Sequence, residues 1–276
     1  MEFPNKRYEG LHIPNLLSID DEKRLRSVID CNIFESLFVS KRIGSESQVG
    51  TIWLSSLNID DRKTSFIIKV QSNRKKAHAE FDVQNYLSHK WSKNFVVTYG
   101  CIDCPEVTLW NDGVESIINT GNFIFMETGI GDLEQVIKYS IVDENMLTGY
   151  ILDVIDSVEI TSSEKVFHGD LHIRQIFIVM RNVNNCEPIR KAVIGDFGEH
   201  LRIDSPTTHL SDLKIFFKSL LEIIHAVENS DEFFYKISKC LDFISHRTSR
   251  IELDDLSYNI LSLQRDISEI KTFFNK

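Results

Sequence analysis

The chain has 276 residues, of which 42% are hydrophobic and 26% are charged, with only 12 glycines and 5 prolines. This composition is typical of a folded protein with a sizeable core, and it excludes overall disorder. The net charge of −10 argues against nucleic acid as a partner, because phosphate backbones are bound by basic surfaces. It suits a basic polypeptide substrate, although solubility alone would explain it equally well.

The cysteines and the apolar segments narrow the class of protein further. The five cysteines are odd in number and scattered, so no disulfide framework is expected. Cys101 and Cys104 form a lone C-x-x-C that lacks the second ligand pair of a zinc site. No apolar run approaches the ~20 residues of a membrane span. Because the opening residues Met1–Arg7 are polar and do not resemble a secretion signal, a reducing, cytoplasmic location is expected.

The first half of the chain begins with a helical pattern and then becomes rich in strands. Apolar residues recur at a period near 3.6 from Ser18 to Phe38, which predicts one or two helical segments. Strand patterns follow in residues 41–70, and Ala77–Lys90 returns to a helical pattern. Three more strands are predicted, over Phe95–Tyr99, Glu106–Trp110 and Asn122–Glu127.

The second half is predicted to be mainly helical. The helical patterns cover Leu133–Tyr139, Asn145–Val158, Leu210–Glu228, Glu232–Ser245 and Leu253–Phe274. Two short strands interrupt them, at Gln175–Met180 and Lys191–Gly195. The sequence therefore predicts an α+β protein with a helical extension (residues 1–38), a β-rich lobe (39–128) and a helical lobe (129–276).

Two short acidic motifs carry the strongest chemical signal. His168-Gly169-Asp170-Leu171-His172 is followed by an apolar run and then by Gly195-Asp196-Phe197-Gly198. Phosphoryl transfer needs two such carboxylates, one to accept the proton of the attacking hydroxyl and one to hold Mg²⁺ against the phosphates. Two ordinary turns in unrelated loops would give either motif alone, but their order and spacing favour function.

These motifs resemble the catalytic loop and the metal-binding loop of the protein-kinase-like superfamily. The resemblance covers roughly residues 43–221 and implies a bilobal kinase fold with an ATP–Mg²⁺ site between the lobes. Asp170 would be the catalytic base, and Asp196 would hold the metal. Asp212, at the start of an apolar helix, resembles the buried aspartate that braces the catalytic loop, although a helix cap would look the same.

The β-rich half supplies the partners that the resemblance requires. Lys69 ends an apolar strand and resembles the lysine that pairs with the α- and β-phosphates, although a surface lysine would give the same pattern. Glu80 on the next helix would be its ion-pair partner, and Asp82 is the competing candidate. Glu80 is preferred because Val83 and Leu87 then fall at apolar positions of that helix, while Gln84 occupies a position that is usually apolar.

The remaining nucleotide contacts are implied by weaker motifs. Gly44 and Gly50 resemble glycines of the phosphate-binding hairpin, in which serines replace other glycines, and Ile52 resembles the residue that covers adenine. Met126 would be the gatekeeper before the hinge. The backbone of Glu127 and Gly129 would meet adenine, although a plain buried strand predicts the same pattern.

Two departures from the family pattern shape the functional prediction. Gln175 stands where an asparagine usually binds the second Mg²⁺; its stem is longer, which predicts low activity or a shift towards Mn²⁺. Gly169 replaces the arginine that reads activation-loop phosphorylation, and the segment from Gly198 to Asp212 is short. The expected protein is therefore an ATP-dependent Ser/Thr protein kinase that is not switched by phosphorylation of Thr207 or Thr208.

Two alternatives stay open. A pseudokinase scaffold is favoured by Gln175 and by the altered glycine loop, and a small-molecule kinase is favoured by His172 and by the absence of an Ala-Pro-Glu signature. The short helical lobe makes the chain similar to the compact kinases of large DNA viruses and some intracellular bacteria. For such a source, the expected location would be the cytoplasm of the host. The sequence leaves the substrate and the oligomeric state open.

Overall fold

The computed structural model describes residues 17–37, 39–43, 50–59, 62–111, 114–140, 142–181, 188–202, 206–224, 231–253 and 259–275. Within them the protein is α+β, with an antiparallel sheet and several helices. Contacts along the chain define two compact units, one that ends at Gly129 and one that continues from Ile130. The division lies one residue from the predicted boundary at 128/129. Gly44 falls outside the described residues.

The unit that ends at Gly129 is built around one sheet. Its elements are α1 (Ile19–Val28), a 3₁₀ helix (Cys31–Ser36), β1 (Val39–Ile43), β2 (Gly50–Ile59), β3 (Arg62–Gln71), α2 (Arg74–Lys90), β4 (Thr98–Asn111) and β5 (Val114–Met126). The strand order is β1-β2-β3-β5-β4, and a single parallel pair between Ser40 and Asn111 closes the sheet. One long strand, β4, contains the strand predicted at 106–110 and only the last two residues of the strand predicted at 95–99. It pairs with β5 over almost its whole length.

Residues 17–37 pack against this unit's core and contribute two buried residues to it. Leu25 and Ile33 are buried in the same apolar cluster as Phe123, and the ring of Phe34 lies 4.7 Å from that of Phe123. The Arg26 guanidinium donates a hydrogen bond to the backbone oxygen of Tyr99. In the sequence this segment could either dock a partner or brace the sheet, and its described part braces the sheet.

A disulfide fastens the same segment to the sheet. Cys31, in the 3₁₀ helix, is bonded to Cys104 of β4, 73 positions further along the chain. The expectation that the cysteines form no disulfide is therefore wrong for this pair, and the spacing could not have shown it because the sheet brings the two residues together. Cys101 and Cys240 are free.

Removing this disulfide should weaken the unit. Under oxidising conditions we expect Cys31→Ser to lower the free energy of unfolding by about 2–4 kcal/mol, since the bond closes a long loop and so restricts the unfolded chain. Chemical unfolding with and without a thiol reductant measures the difference. Cys101→Ser, which removes a free thiol on the same strand, is the matched control. Equal stability of Cys31→Ser and the unmodified protein would contradict the prediction.

The second unit is mainly helical, with two small sheets. Its elements are β6 (Gly131–Asp132), α3 (Leu133–Tyr139), α4 (Glu144–Ser163), β7 (Val166–Phe167), a 3₁₀ helix (Ile173–Gln175), β8 (Ile176–Arg181), β9 (Ile189–Ile194), β10 (Leu201–Arg202), α5 (Pro206–Ile223), α6 (Asp231–Leu253) and α7 (Ile260–Thr272). The strands form the antiparallel orders β6-β8-β9 and β10-β7. None of the helices in the described ranges is long and apolar enough to cross a membrane.

Local capping and aromatic packing define these helices. Helix α3 has the predicted bounds, because Asp132 and Gln135 form a capping box at its start. Helix α5 begins at Pro206, four residues before the predicted start, as is common for proline in a first helical turn. The rings of Phe217 and Phe274 stack 5.8 Å apart and join α5 to the end of α7.

Candidate active site

The first acidic motif forms a loop whose backbone is held by a buried aspartate. The loop follows β7, and Asp212 of α5 is fully buried beneath it. Its two carboxylate oxygens accept hydrogen bonds from the backbone N–H groups of His168 (3.0 Å) and Gly169 (3.1 Å). Burial raises the pKa of Asp212 to about 7, although both N–H donors oppose the rise. The side chain of Asp212 therefore braces the loop by binding the loop's backbone.

His168 connects this loop to the second acidic motif. Its Nδ1 accepts a hydrogen bond from the backbone N–H of Asp170, so the neutral ring carries its proton on Nε2. That nitrogen lies 3.0 Å from the backbone oxygen of Gly195, to which it donates. The ring also packs 4.8 Å from that of Phe197. Burial lowers the pKa of His168, which favours this neutral form.

Asp170 projects from the braced loop into solvent. Its side chain is 51% exposed, and its Oδ2 lies 3.5 Å from Nε2 of His172. Nδ1 of His172 accepts a hydrogen bond from the backbone N–H of Arg174, so Nε2 is the ring nitrogen that faces Asp170. The carboxylate of Asp170 is thus accessible to a hydroxyl group while its backbone is fixed.

Gln175 directly precedes β8, and Asp196 follows β9 by two residues at the same end of this strand pair. The backbone N–H of Gly195 donates to the backbone oxygen of Gln175 at 3.0 Å. Asp196 has a left-handed backbone with φ of 59°, a conformation that is uncommon outside glycine and often marks functional sites. Gln175 therefore lies opposite Gly195, one residue from Asp196, and the binding of one metal by both side chains stays a prediction.

The oxygen atoms of these two residues fit Mg²⁺ better than a transition metal. Among the described residues, no group of three or more His, Cys, Asp and Glu side chains could hold a metal ion. Magnesium does not need such a group, since it is usually held by one or two protein oxygens together with water and substrate phosphates. Asp196 and Gln175 would supply that smaller set, and their binding of Mg²⁺ stays a prediction.

Gly169 is required by its conformation and by a close neighbour. Its φ is 87°, and a Cβ atom at this position would lie 2.7 Å from the backbone oxygen of Glu199. The chain after the second motif then pairs with β7, where Leu201 lies opposite Phe167. The arginine that the family pattern places at position 169 is thus incompatible with this backbone.

The other unit contains the predicted ion pair. Lys69 Nζ lies 2.8 and 2.9 Å from the two carboxylate oxygens of Glu80 on α2, and both side chains are buried. Asp82, the competing candidate, is exposed. Lys69 sits in the central strand β3, opposite Ile52 of β2 and Ile124 of β5. The neighbouring strands and α2 therefore fix the direction of the lysine.

Gly50 has a packing role of its own. It lies opposite Gln71, and a Cβ atom at position 50 would approach the backbone oxygen of Val70 to 2.0 Å. Only glycine permits this approach of β2 to β3. The glycine is thus explained by strand packing, and its contact with a phosphate stays a prediction. Ile52, two residues further along β2, is half-buried and lies opposite Lys69.

The predicted hinge residues close β5. Met126 is buried, and its sulfur lies 3.6 Å from the amide nitrogen of Gln84. Glu127 donates its backbone N–H to Val97 at 2.9 Å, and its carboxylate accepts the N–H of Val97 at 2.7 Å. The N–H of Glu127 is thus used within the unit, and a contact of the backbone of Glu127 with adenine stays a prediction. Gly129 is half-buried at the end of the unit.

The predicted site residues thus fall into two groups, one in each unit. The first group is Lys69, Glu80, Gly50, Ile52, Met126, Glu127 and Gly129; the second is Asp170, Gln175, Asp196 and Asp212. Two neighbours escaped the sequence analysis. Gln71 hydrogen-bonds to Glu80, and its position two residues after Lys69 on β3 could have indicated this. His209 is buried beside Phe167, just before the braced loop, and no pattern in the sequence indicates its burial.

His209 is a buried base, and one of its nitrogens has no partner among the described residues. Its Nδ1 has no hydrogen-bond partner within the described part of the chain, and its ring packs edge-on against Phe167 at 6.3 Å. Burial lowers the pKa of His209 to about 4. The side chain is therefore neutral in the folded protein at pH values where the unfolded chain would protonate it.

Acid should destabilise the protein through this residue. A folded pKa below the unfolded value means that the contribution to stability is present above about pH 6.5 and is lost as the pH falls towards 4. Between pH 7 and pH 5 the loss should be about 2 kcal/mol. We expect His209→Phe, which keeps an aromatic ring, to remove that part of the decrease in chemical unfolding experiments. Parallel pH dependences of the two proteins would exclude the contribution.

Searches of the sequence against protein-family models and against curated proteins find no match. The resemblance to the protein-kinase-like superfamily therefore depends on the residues and geometry given above.

Proposed function

We propose that this protein is an ATP-dependent phosphotransferase, in the first place a Ser/Thr protein kinase with a bilobal kinase-like fold. The β-rich unit would be the N-terminal lobe and the helical unit the C-terminal lobe. The expected substrate is a protein, with basic surfaces favoured by the net charge of −10.

The observation that carries the proposal is the braced loop. A buried aspartate fixes the backbone of His168 and Gly169, and His168 in turn holds the backbone at Gly195. This arrangement fixes Asp170 and Asp196 relative to each other within one unit while Asp170 stays exposed. Two carboxylates on fixed backbone positions suit phosphoryl transfer, because its catalysis is mostly positioning and electrostatic stabilisation.

The roles follow from the chemistry of each side chain. The acceptor hydroxyl would lose its proton to Asp170 as its oxygen bonds to the γ-phosphorus, and the bond from that phosphorus to the leaving oxygen of ADP would break. Asp196 and Gln175 would hold Mg²⁺, which neutralises charge on the phosphates when bound. Lys69, held by Glu80, would position the α- and β-phosphates.

Gly169 supports an enzyme without activation-loop control. The position of the phosphate-reading arginine is occupied by a glycine whose backbone excludes a Cβ atom. Thr207 and Thr208 lie in the first turn of α5, and the chain between Phe197 and this helix is short. A phosphate there would lack its usual arginine partner in the loop.

A pseudokinase and a small-molecule kinase are the second candidates. Gln175, one methylene longer than the usual asparagine, favours the first by weakening metal binding. His172, whose ring faces Asp170, favours the second, because this string also occurs in small-molecule kinases. Nucleotide binding without turnover would identify the first, and phosphorylation of a small hydroxyl compound but of no protein the second.

The cytoplasm is the location we propose for this activity, and the Cys31–Cys104 disulfide points the other way. Structural disulfides are rare in reducing compartments. Trapping free thiols in intact cells with an alkylating reagent decides between the cytoplasm and an oxidising compartment. Protection of Cys31 and Cys104 from alkylation would exclude a reducing compartment.

The test of the function is transfer of labelled γ-phosphate from ATP. The unmodified protein is compared with Asp170→Asn in Mg²⁺ and in Mn²⁺, with autophosphorylation and basic proteins as acceptors. Transfer that disappears in the variant supports a protein kinase. No transfer in either metal, to protein or to small hydroxyl compounds, would overturn phosphotransferase activity.

A further inference from the structure

We propose that Gln71 is a positioning residue that locks Glu80 against Lys69, so that the ion pair persists without an external activating event. The catalytic meaning of this lock rests on the proposed function. The lock itself is a property of the β-rich unit and can be tested without ATP.

The geometry places a third donor on the buried carboxylate. Side chains two apart on a strand point to the same face, so Lys69 and Gln71 of β3 both face α2. Gln71 Nε2 donates to Oε2 of Glu80 at 2.5 Å, while Lys69 Nζ reaches both oxygens. Gln71 and Glu80 are each 1% exposed. The Glu80 carboxylate is thus bound from two positions of one strand.

Gln71 is itself held firmly. Its backbone lies between Gly50 of β2 and Asn122 of β5, and its backbone oxygen accepts a hydrogen bond from the Asn122 amide at 2.8 Å. Its own Oε1 has no hydrogen-bond partner in the described part of the chain. The amide is therefore oriented by Glu80, because an amide oxygen turned towards the carboxylate would be repelled.

A lock of this kind matches the absence of activation-loop control. A buried carboxylate is costly unless several donors satisfy it. When Lys69 turns part of its hydrogen-bonding capacity to a phosphate, Gln71 still satisfies one oxygen of Glu80. Helix α2 therefore has a reason to stay in place whether or not nucleotide or a phosphorylated loop is present.

The test measures the reactivity of Lys69 in the nucleotide-free protein. Gln71→Met keeps the length of the side chain and removes the donor. We expect Lys69 to react about tenfold faster with an amine-selective acylating reagent, as read by mass spectrometry. The reason is that the Glu80 carboxylate loses its hydrogen bond from Gln71, so the Lys69–Glu80 pair opens more often. Gln84→Met is the matched control: it removes another buried amide, from α2 itself, whose partners are Val96 and Met126 and not Glu80.

A kinetic measurement accompanies it. With phosphate transfer as the readout, Gln71→Met should raise the KM for ATP about tenfold and change kcat much less, because the pair positions the nucleotide. Faster acylation in Gln71→Met alone supports the lock, even if no transfer is seen in the unmodified protein; in that case only the proposed function fails. Equal acylation in the unmodified protein and in folded Gln71→Met overturns the lock.

A variant that does not fold leaves a measurement on the unmodified protein. The side-chain NH₂ protons of Gln71, assigned by ¹⁵N NMR, should exchange with solvent at least about tenfold more slowly than those of a glutamine in a short unfolded peptide. Exchange at the peptide rate would overturn the proposal.

Discussion

Asp170→Asn should reduce γ-phosphate transfer by about 10²–10⁴-fold while the protein stays folded and binds nucleotide. The substitution keeps the shape of the side chain and removes the group that would accept the hydroxyl proton. It leaves the loop in place, because Asp212 and His168 hold that loop through backbone groups. The expected signature is a lower kcat with a nearly unchanged KM for ATP.

A matched control separates this effect from a general loss of charge. Asp143 caps α4 through Met146 and lies outside the candidate site, and asparagine caps helices as well as aspartate does. Asp143→Asn should therefore transfer phosphate at the unmodified rate. Equal transfer by Asp170→Asn and the unmodified protein would remove Asp170 from the mechanism, and equal losses in both variants would point to a nonspecific effect.

The parts of the fold that the sequence predicted are those fixed over short distances. The capping box of α3 acts within a few residues, and this helix has its predicted bounds. Strand β3 contains the apolar run that was predicted to end at Lys69. Lys69 and Glu80 are only 11 positions apart, on a strand and on the helix that follows it, so their pairing was also accessible. Their catalytic role stays a prediction.

The parts that escaped prediction depend on which distant segments meet. Cys31 and Cys104 gave no sign of pairing, because only the closing of the sheet brings them together. Tyr86 of α2 is 45% exposed, since the buried face of this helix is formed by Val83, Gln84 and Leu87. That face accepts a polar residue at 84, which a hydrophobic pattern cannot indicate.

The candidate site shows the same division. The residue types and their order along the chain gave Asp170, Gln175 and Asp196, and the structure adds why each backbone is held as it is. The glycine at 169 was noticed only as a missing arginine. Its left-handed φ and the close backbone oxygen of Glu199 come from the path of the chain after Phe197, which no local pattern specifies.

Gly169→Ala should lower the free energy of unfolding by at least about 2 kcal/mol and should reduce phosphate transfer strongly. A left-handed backbone costs a residue with a Cβ atom about 1–2 kcal/mol, and the contact of 2.7 Å with the Glu199 oxygen adds to that cost. Relief of the contact moves either the loop that carries Asp170 or the chain that follows Asp196. Chemical unfolding and the transfer assay measure the two effects.

Gly149→Ala is the matched control, because a Cβ atom there meets nothing within 4 Å in the interior of α4. Alanine should stabilise that helix by about 0.5–1 kcal/mol and leave transfer unchanged. Opposite signs for one substitution at two glycines would show that position 169 is set by its backbone. If Gly169→Ala were instead as stable and as active as Gly149→Ala, the position would tolerate a side chain, and the structural reason for the missing arginine would fail.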